Sequence, residues 1–289
     1  MALYTEQLQQ HLESIEQSLG GYLPQGDGID AIMRYACEGG GKRIRPVLLL
    51  ECCRICGGNT QAAMPFAAAI ECIHSYSLVH DDLPCMDNSP LRRGKPSAHA
   101  AYGETMALLA GDALLNRAFE IMLSAKTENP TAALRAAAEL ADKAGVNGMI
   151  GGQVLDLDSE GKTIDLDTLK RLQEGKTAAL LVAACRMGAI LGGGSEEAID
   201  AAGRYGYYLG LAFQVVDDIL DVTASAEELG KPVGSDDENA KNTYVSLLGL
   251  SQARALAASY TAQAKEALAD FAAGEDLRRL AEALLTRTH

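Results

Sequence analysis

Two groups of aspartates have the spacing to do chemistry: Asp81-Asp82-Leu83-Pro84-Cys85-Met86-Asp87 and Asp217-Asp218-Ile219-Leu220-Asp221. In the second, Asp217 and Asp221 stand i, i+4, so on a helix they share a face one turn apart while Asp218 points about 100° away. Like charges so placed repel. The apolar residues before them (Leu209, Leu211, Phe213, Val215, Val216) predict a partly buried helix in which the repulsion costs more unless a cation offsets it. Hard carboxylate oxygens suit Mg²⁺, which keeps several waters and takes its other ligands from one or two carboxylates and a phosphate. The first motif is less regular. Pro84 disfavours helix at Leu83, and Asp87 comes six residues after Asp81, so the chain is expected to leave the helix and bring Asp87 back through a distorted turn. A single motif of this kind could be a solvated acidic helix end; two of them, each behind an apolar helix, weaken that reading.

The formal net charge is −14, which argues against nucleic acid or an anionic membrane surface as partner and makes each cation informative. Gly39-Gly40-Gly41-Lys42-Arg43-Ile44-Arg45-Pro46 reads as a glycine-rich turn entering a helix, where backbone N–H groups and basic side chains meet a phosphate. Gly175-Lys176-Thr177 looks like the end of a phosphate-binding loop, but position 170 is Lys where that loop needs its first glycine, and no strand precedes it. Cys53-Arg54-Ile55-Cys56 lacks a second pair of zinc ligands, so it reads as core. His80 beside Asp81 suggests a metal phosphohydrolase, yet His74 lies off the His80 helix face and the remaining histidines are His11, His99 and His289.

The elements that must position these residues are helices. Leu8, Leu12, Ile15 and Leu19 form one stripe at helical spacing, and Leu277, Leu280 and Leu284 another; Ala is abundant and strand signals are scarce. Breaks at Gly20-Gly21, Gly39 to Gly41, Gly57-Gly58, Asn129-Pro130, Gly192 to Gly194 and Gly230-Lys231-Pro232 divide the chain into about ten helices. No long polar linker appears, so the whole 1–289 is expected to be one all-α domain, a large helical bundle with a central cavity. The apolar runs Pro46 to Leu50 and Ala178 to Cys185 fall short of a membrane span, and the first residues lack a secretory or transit pattern. Seven cysteines, mostly in apolar segments, suit a reducing compartment; a cytoplasmic protein without membrane insertion is expected.

The ordered set Asp81-Asp82-x-x-x-x-Asp87-x-x-x-x-Arg92-Arg93-Gly94-Lys95-Pro96, Gly175-Lys176-Thr177, and Phe213-Gln214-x-x-Asp217-Asp218-x-x-Asp221 resembles the trans-isoprenyl diphosphate synthases, most of all bacterial-type farnesyl diphosphate synthases. The resemblance runs from about Gly39 to Leu250. It implies a prenyltransferase that ionises an allylic diphosphate, joins it to isopentenyl diphosphate, and loses a proton to the released pyrophosphate. It implies catalysis by Asp81, Asp87, Lys176 and Asp217, with Asp81, Asp87 and Asp217 as ligands of Mg²⁺, more than one ion. Asp82, Asp218 and Asp221 are placed as water-mediated or neighbouring partners. Lys42, Arg45, His74 and Arg93 are implied to bind isopentenyl diphosphate. Arg92, Lys176, Thr177, Gln214, Lys231 and Lys241 are implied to hold the allylic diphosphate. A homodimer is implied as well.

Tyr76, five residues before Asp81, is expected to floor the product pocket, since methylenes meeting a packed wall are penalised. That predicts a fifteen-carbon farnesyl product; the alternatives are a geranylgeranyl or geranyl product, or a non-catalytic regulatory subunit, which would be expected to lose aspartates or cations that are all present here. A terpene cyclase needs an aromatic-lined cavity, and this chain has no Trp and four Phe. One departure stands out: Ser89-Pro90 occupies the place where many relatives carry two further aspartates.

Overall fold

The computed structural model describes residues 3–223 and 242–287. They form fourteen α-helices: α1 Glu6–Tyr22, α2 Ile29–Glu38, α3 Ile44–Ile55, α4 Thr60–Asp81, α5 Ala98–Tyr102, α6 Glu104–Ser124, α7 Pro130–Ala144, α8 Met149–Ser159, α9 Leu166–Gln173, α10 Ala179–Leu191, α11 Glu196–Thr223, α12 Tyr244–Leu248, α13 Leu250–Ala267 and α14 Glu275–Leu285. Between α9 and α10 lies one π-helical turn, Glu174–Ala178. The count exceeds the expected ten because short helices such as α5 and α12 are set off by single glycines, Gly103 and Gly249, where the sequence reading looked for clusters. Starts follow the usual chemistry: Asn59 accepts from Gln61 N (2.9 Å), Asn129 caps α7 with Pro130 at its first turn, and Asp165 accepts from Thr168 N (2.8 Å).

α4 is the axis of the molecule. It packs against α3, α6 and α10, and its side chains are buried on nearly every face. Its length and composition would suffice to cross a membrane, but most of it is enclosed by neighbouring helices, which is how a core helix of this composition behaves. The main core joins α1 to α4, α6, α7, α10, α14 and the first half of α11. A second apolar cluster joins α9, the second half of α11, α12 and α13. α11 therefore serves both, and it carries the second aspartate motif.

One feature departs from the all-helical expectation: β1 Leu91–Arg92 pairs antiparallel with β2 Lys95–Pro96. Arg93 (φ 54°) and Gly94 (φ 74°) turn the hairpin through left-handed backbone, the conformation that matches the twist of two tightly joined strands. Two-residue strands produce no alternation for a sequence pattern to reveal. Lys231 and Lys241 lie outside the described residues.

Candidate active site

A cavity of about 950 Å³ opens along α4. His74, Ser77, Leu78 and Asp81 line it at i, i+3, i+4, i+7 spacing, with Tyr76 and His80 on the adjoining stripe. α8 faces them with Ile150, Gln153, Val154 and Leu157 at the same spacing. Lys176 and Thr177 of the π turn and Phe213 and Gln214 of α11 complete the wall. Of the expected site residues, Lys42, Arg45, His74, Tyr76, Asp81, Arg93, Lys176, Thr177 and Gln214 come together here; Asp87, Arg92 and Asp217 do not form its walls.

α4 ends at Asp81, and the chain coils back so that the Asp87 amide donates to the Asp81 carbonyl (2.9 Å). This is the distorted turn expected from Pro84. Asp81 itself accepts from Gln153 Nε2 (2.6 Å) and lies 3.9 Å from Lys176 Nζ, which in turn bonds Asp156 at 2.6 Å. Burial alone would lower the Lys176 pKa, but Asp81, Asp156 and Asp87 together hold it above the ordinary lysine value. Gln153 and Asp156 were not singled out from sequence, although both sit on one face of α8 directly after Gly151-Gly152. The glycines explain how this works: a Cβ on Gly152 would stand 2.0 Å from the Lys176 amide nitrogen, so α8 and the π turn cross in direct backbone contact. Gly175 thus admits a neighbouring helix.

Consecutive residues of the hairpin point apart, and this separates the two arginines. Arg92 Nε donates to both oxygens of Asp82 at 3.1 Å, and Asp82 is only 2 % exposed. In this pair Asp82 faces Arg92 and the core, and the Arg92 guanidinium is engaged by that carboxylate. Arg93 turns to the cavity end and donates to the Gly40 carbonyl. Gly41, at φ 132°, leaves room for it, since a Cβ there would lie 2.8 Å from the guanidinium carbon.

At that end Lys42, Arg45, His74 and Arg93 line the same cavity. Burial, with Arg93 adding and Glu71 opposing, pushes Arg45 down to about 10, so it stays charged at neutral pH. His74 is held well below the usual imidazole range by burial and then by Arg45, Arg93, Arg43 and Arg92, so it is neutral. Glu71 and Arg43 belong to this group and were missed; a lone carboxylate inside an apolar helix and one more basic residue in a basic turn gave no pattern to find.

The second motif divides likewise. Asp218 is 7 % exposed and accepts from the Tyr244 amide (2.7 Å), which anchors α12 to α11. Asp221 is buried. Asp217 is the more open one, paired with Arg287, whose guanidinium also covers the Phe213 ring at 4.1 Å and donates to the Phe213 carbonyl (3.2 Å). Lys42 feels the same pair: burial and then Arg287 lower its pKa, while Asp217 pulls the other way.

No three His, Cys, Asp or Glu side chains among the described residues converge as a ready metal cluster, so Asp81, Asp87 and Asp217 do not form one three-ligand site here. The donor set nonetheless fits Mg²⁺ completed by water and phosphate. Asp81 and Asp217 offer hard oxygens, and each is now matched by a protein cation, Lys176 or Arg287. A second hollow of about 840 Å³ lies beyond the Gly152–Gly175 crossing, but it holds neither aspartate motif and its Arg186 is neutralised by Glu139 (2.9 Å) and Asp200 (2.8 Å).

The polar end closes into an apolar one. Tyr76, 5 % exposed, stacks edge-on against His80 (centroids 5.7 Å apart), and Ile150, Val154 and Leu157 continue the wall.

Comparison with known proteins agrees with this layout. The chain is 47 % identical over 249 residues to the heterodimeric geranylgeranyl pyrophosphate synthase large subunit 1, chloroplastic, of Arabidopsis thaliana, covering 84 % of this chain and 67 % of that one. Its structure is similar to an apo FPP/GFPP synthase from Zymomonas mobilis (TM-score 0.86, 38 % identity, 96 % and 97 % of the two chains). It is also similar to a geranyltransferase from Helicobacter pylori complexed with magnesium and isoprenyl diphosphate (TM-score 0.86, 36 % identity, 99 % and 98 %). The family model for polyprenyl synthetase matches residues 27–282, and the chain belongs to that family of trans-isoprenyl diphosphate synthases.

Proposed function

We propose that the protein condenses isopentenyl diphosphate with an allylic diphosphate. The observation that carries this is the gradient within one cavity: cations at Lys42, Arg45 and Arg93, carboxylates at its rim, and an apolar wall running from Val154 to Tyr76. Bound Mg²⁺ would supply neutralisation of the charge developing on the departing pyrophosphate, held by Asp81, Asp87 and Asp217. Lys176 adds a fixed positive charge beside Asp81, and Gln153 orients that carboxylate. Lys42, Arg45, His74 and Arg93 seat the isopentenyl diphosphate; Thr177 and Gln214, with Lys231 and Lys241, are assigned to the allylic diphosphate. Neutral His74 contributes a hydrogen bond and no charge. Holding both substrates in one cleft contributes through proximity, and the apolar walls keep water from the cation. The whole chain 1–289 is taken as one polyprenyl synthase domain, supported by the sharing of α11 between both apolar clusters.

Product length has support on two sides. The named relative speaks for a geranylgeranyl product. The second reading, farnesyl, draws on Tyr76, which stands at the apolar end with its hydroxyl buried and unpartnered, its phenol pushed up to about 12 by burial. Purified protein with isopentenyl diphosphate, geranyl diphosphate and Mg²⁺, followed by phosphatase treatment and chromatography of the alcohols, separates the two. Absence of any condensation product from folded protein would end the proposal. Exposed Leu108, Leu109 and Leu123 on α6 support association through that helix. A homodimer is the simplest form, while the plant relative named above works as a heterodimer. The plant protein is chloroplastic, so the cytoplasmic reading of this chain draws no support from it.

A further inference from the structure

Glu71 lies on α4 one turn before His74, 1 % exposed, lining the diphosphate end of the cavity, and the chemistry above does not use it. Its Oε1 accepts from Arg43 Nη1 at 2.6 Å. Arg43 spends its other donors on Glu16 (Nε, 2.7 Å) and on the Cys37 carbonyl (Nη2, 2.7 Å), so the guanidinium is tied to α1, to the end of α2 and to α4 at once. The backbone of Arg43 is left-handed (φ 48°) at the start of α3, a conformation a non-glycine residue keeps only when its surroundings hold it. Lys42 precedes it and Arg45 follows two residues on, and both line the cavity.

We infer that Glu71 is the positioning residue of the isopentenyl diphosphate end: through Arg43 it fixes the left-handed loop from which Lys42 and Arg45 project toward the substrate. The inference rests on the assignment of that end under the proposed function. Two effects of Glu71 oppose each other. Its negative charge repels a diphosphate, while its grip on Arg43 sets where two phosphate-binding cations stand. The geometry decides, because Arg43 has no other carboxylate of comparable burial: Glu16 is half exposed. Glu71 also sustains the charge on Arg45 and Arg93 against burial.

The test is steady-state kinetics of Glu71→Gln with each substrate varied in turn, alongside calorimetric titration of isopentenyl diphosphate. The expected result is a KM for isopentenyl diphosphate raised about tenfold or more, with the KM for geranyl diphosphate and kcat within about twofold, and a calorimetric affinity for isopentenyl diphosphate weakened about tenfold. Where Glu71→Gln does not fold, Glu71→Asp keeps the charge but shortens its reach, and the same KM split is expected at smaller size. An unchanged or lowered KM for isopentenyl diphosphate overturns the inference, the latter by showing that Glu71 acts only as a repelling charge. Equal shifts in both KM values overturn it too, as general loosening. Wild-type protein that binds no isopentenyl diphosphate defeats the proposed function itself, which is a separate outcome.

Discussion

The two aspartate motifs solve one problem with different parts. In each, the proposed function uses one carboxylate, Asp81 or Asp217, and its neighbour is sunk into the fold: Asp82 against Arg92, Asp218 against the Tyr244 amide. The difference lies in what holds the one it uses. Asp81 is gripped by Gln153 and Lys176, side chains of α8 and the π turn, whose backbones touch at Gly152 and Gly175. Asp217 is met by Arg287, beyond the last turn of α14. The first motif is held by two elements of the core, the second is met by Arg287 from beyond α14. Paired aspartates in sequence therefore do not mean paired roles.

The sharpest way to break this comparison is to remove the carboxylates that the proposed function uses. Asp81→Ala and Asp217→Ala are each expected to lower kcat by about a thousandfold or more, the effect of losing several kcal/mol of charge stabilisation in the transition state. Both should fold, with small losses in thermal midpoint, since each carboxylate is partly exposed and gives up only side-chain partners. A variant retaining a tenth of the activity would remove that aspartate from the metal set. The buried partners should behave the other way. Asp82→Ala leaves Arg92 without its carboxylate and is expected to cost about 3 kcal/mol in urea unfolding. Asp218→Ala is expected to cost about 2 kcal/mol, the range for a hydrogen bond to a charged group. Equal stability losses at Asp81 and Asp82 would erase the division of labour.

Much of this was legible in the sequence where the signal is local. The i, i+4 spacing of Asp217 and Asp221, Pro84 after Asp82 and the glycines before Lys42 each predicted what the backbone does there. The unread parts are long-range. Gln153 reaches a carboxylate 72 positions away, Tyr244 reaches Asp218 across 26, and Arg43 meets Glu71 across 28. Each depends on which helices become neighbours, and periodicity says nothing of that. The resemblance assigns Arg92 and Arg93 to different diphosphates, but the hairpin that turns them apart is too short to alternate and leaves no pattern of its own in the sequence.

A smaller effect sharpens the comparison through pH. His74 is buried neutral with its pKa depressed well below the ordinary 6.5, so the unfolded state binds more protons in the window between the two values. Stability should therefore fall as pH drops through about 6.5 toward the folded-state pKa, and the thermal midpoint of wild type should drop more than that of His74→Gln between neutral and mildly acidic buffer. Parallel curves for the two proteins would move the acid sensitivity elsewhere.

The smallest expected effect tests the Arg287 contact directly. If Arg287 occupies charge space on Asp217 that a divalent cation also needs, the ion pair and the metal compete, and Arg287→Gln tilts the balance toward the metal. A partly buried pair of this kind is worth about 1 kcal/mol, so the dissociation constant for Mg²⁺, titrated with inorganic pyrophosphate present, should tighten about fivefold. Lys176→Gln should do less for the metal, because the Asp81 carboxylate keeps its hydrogen bond from Gln153 at 2.6 Å and remains oriented by the core. The contrast matters more than either number. Tightening at Arg287 without tightening at Lys176 marks the second motif as the one that is switched, whereas equal tightening makes both cations simple placeholders and removes the distinction between the two motifs.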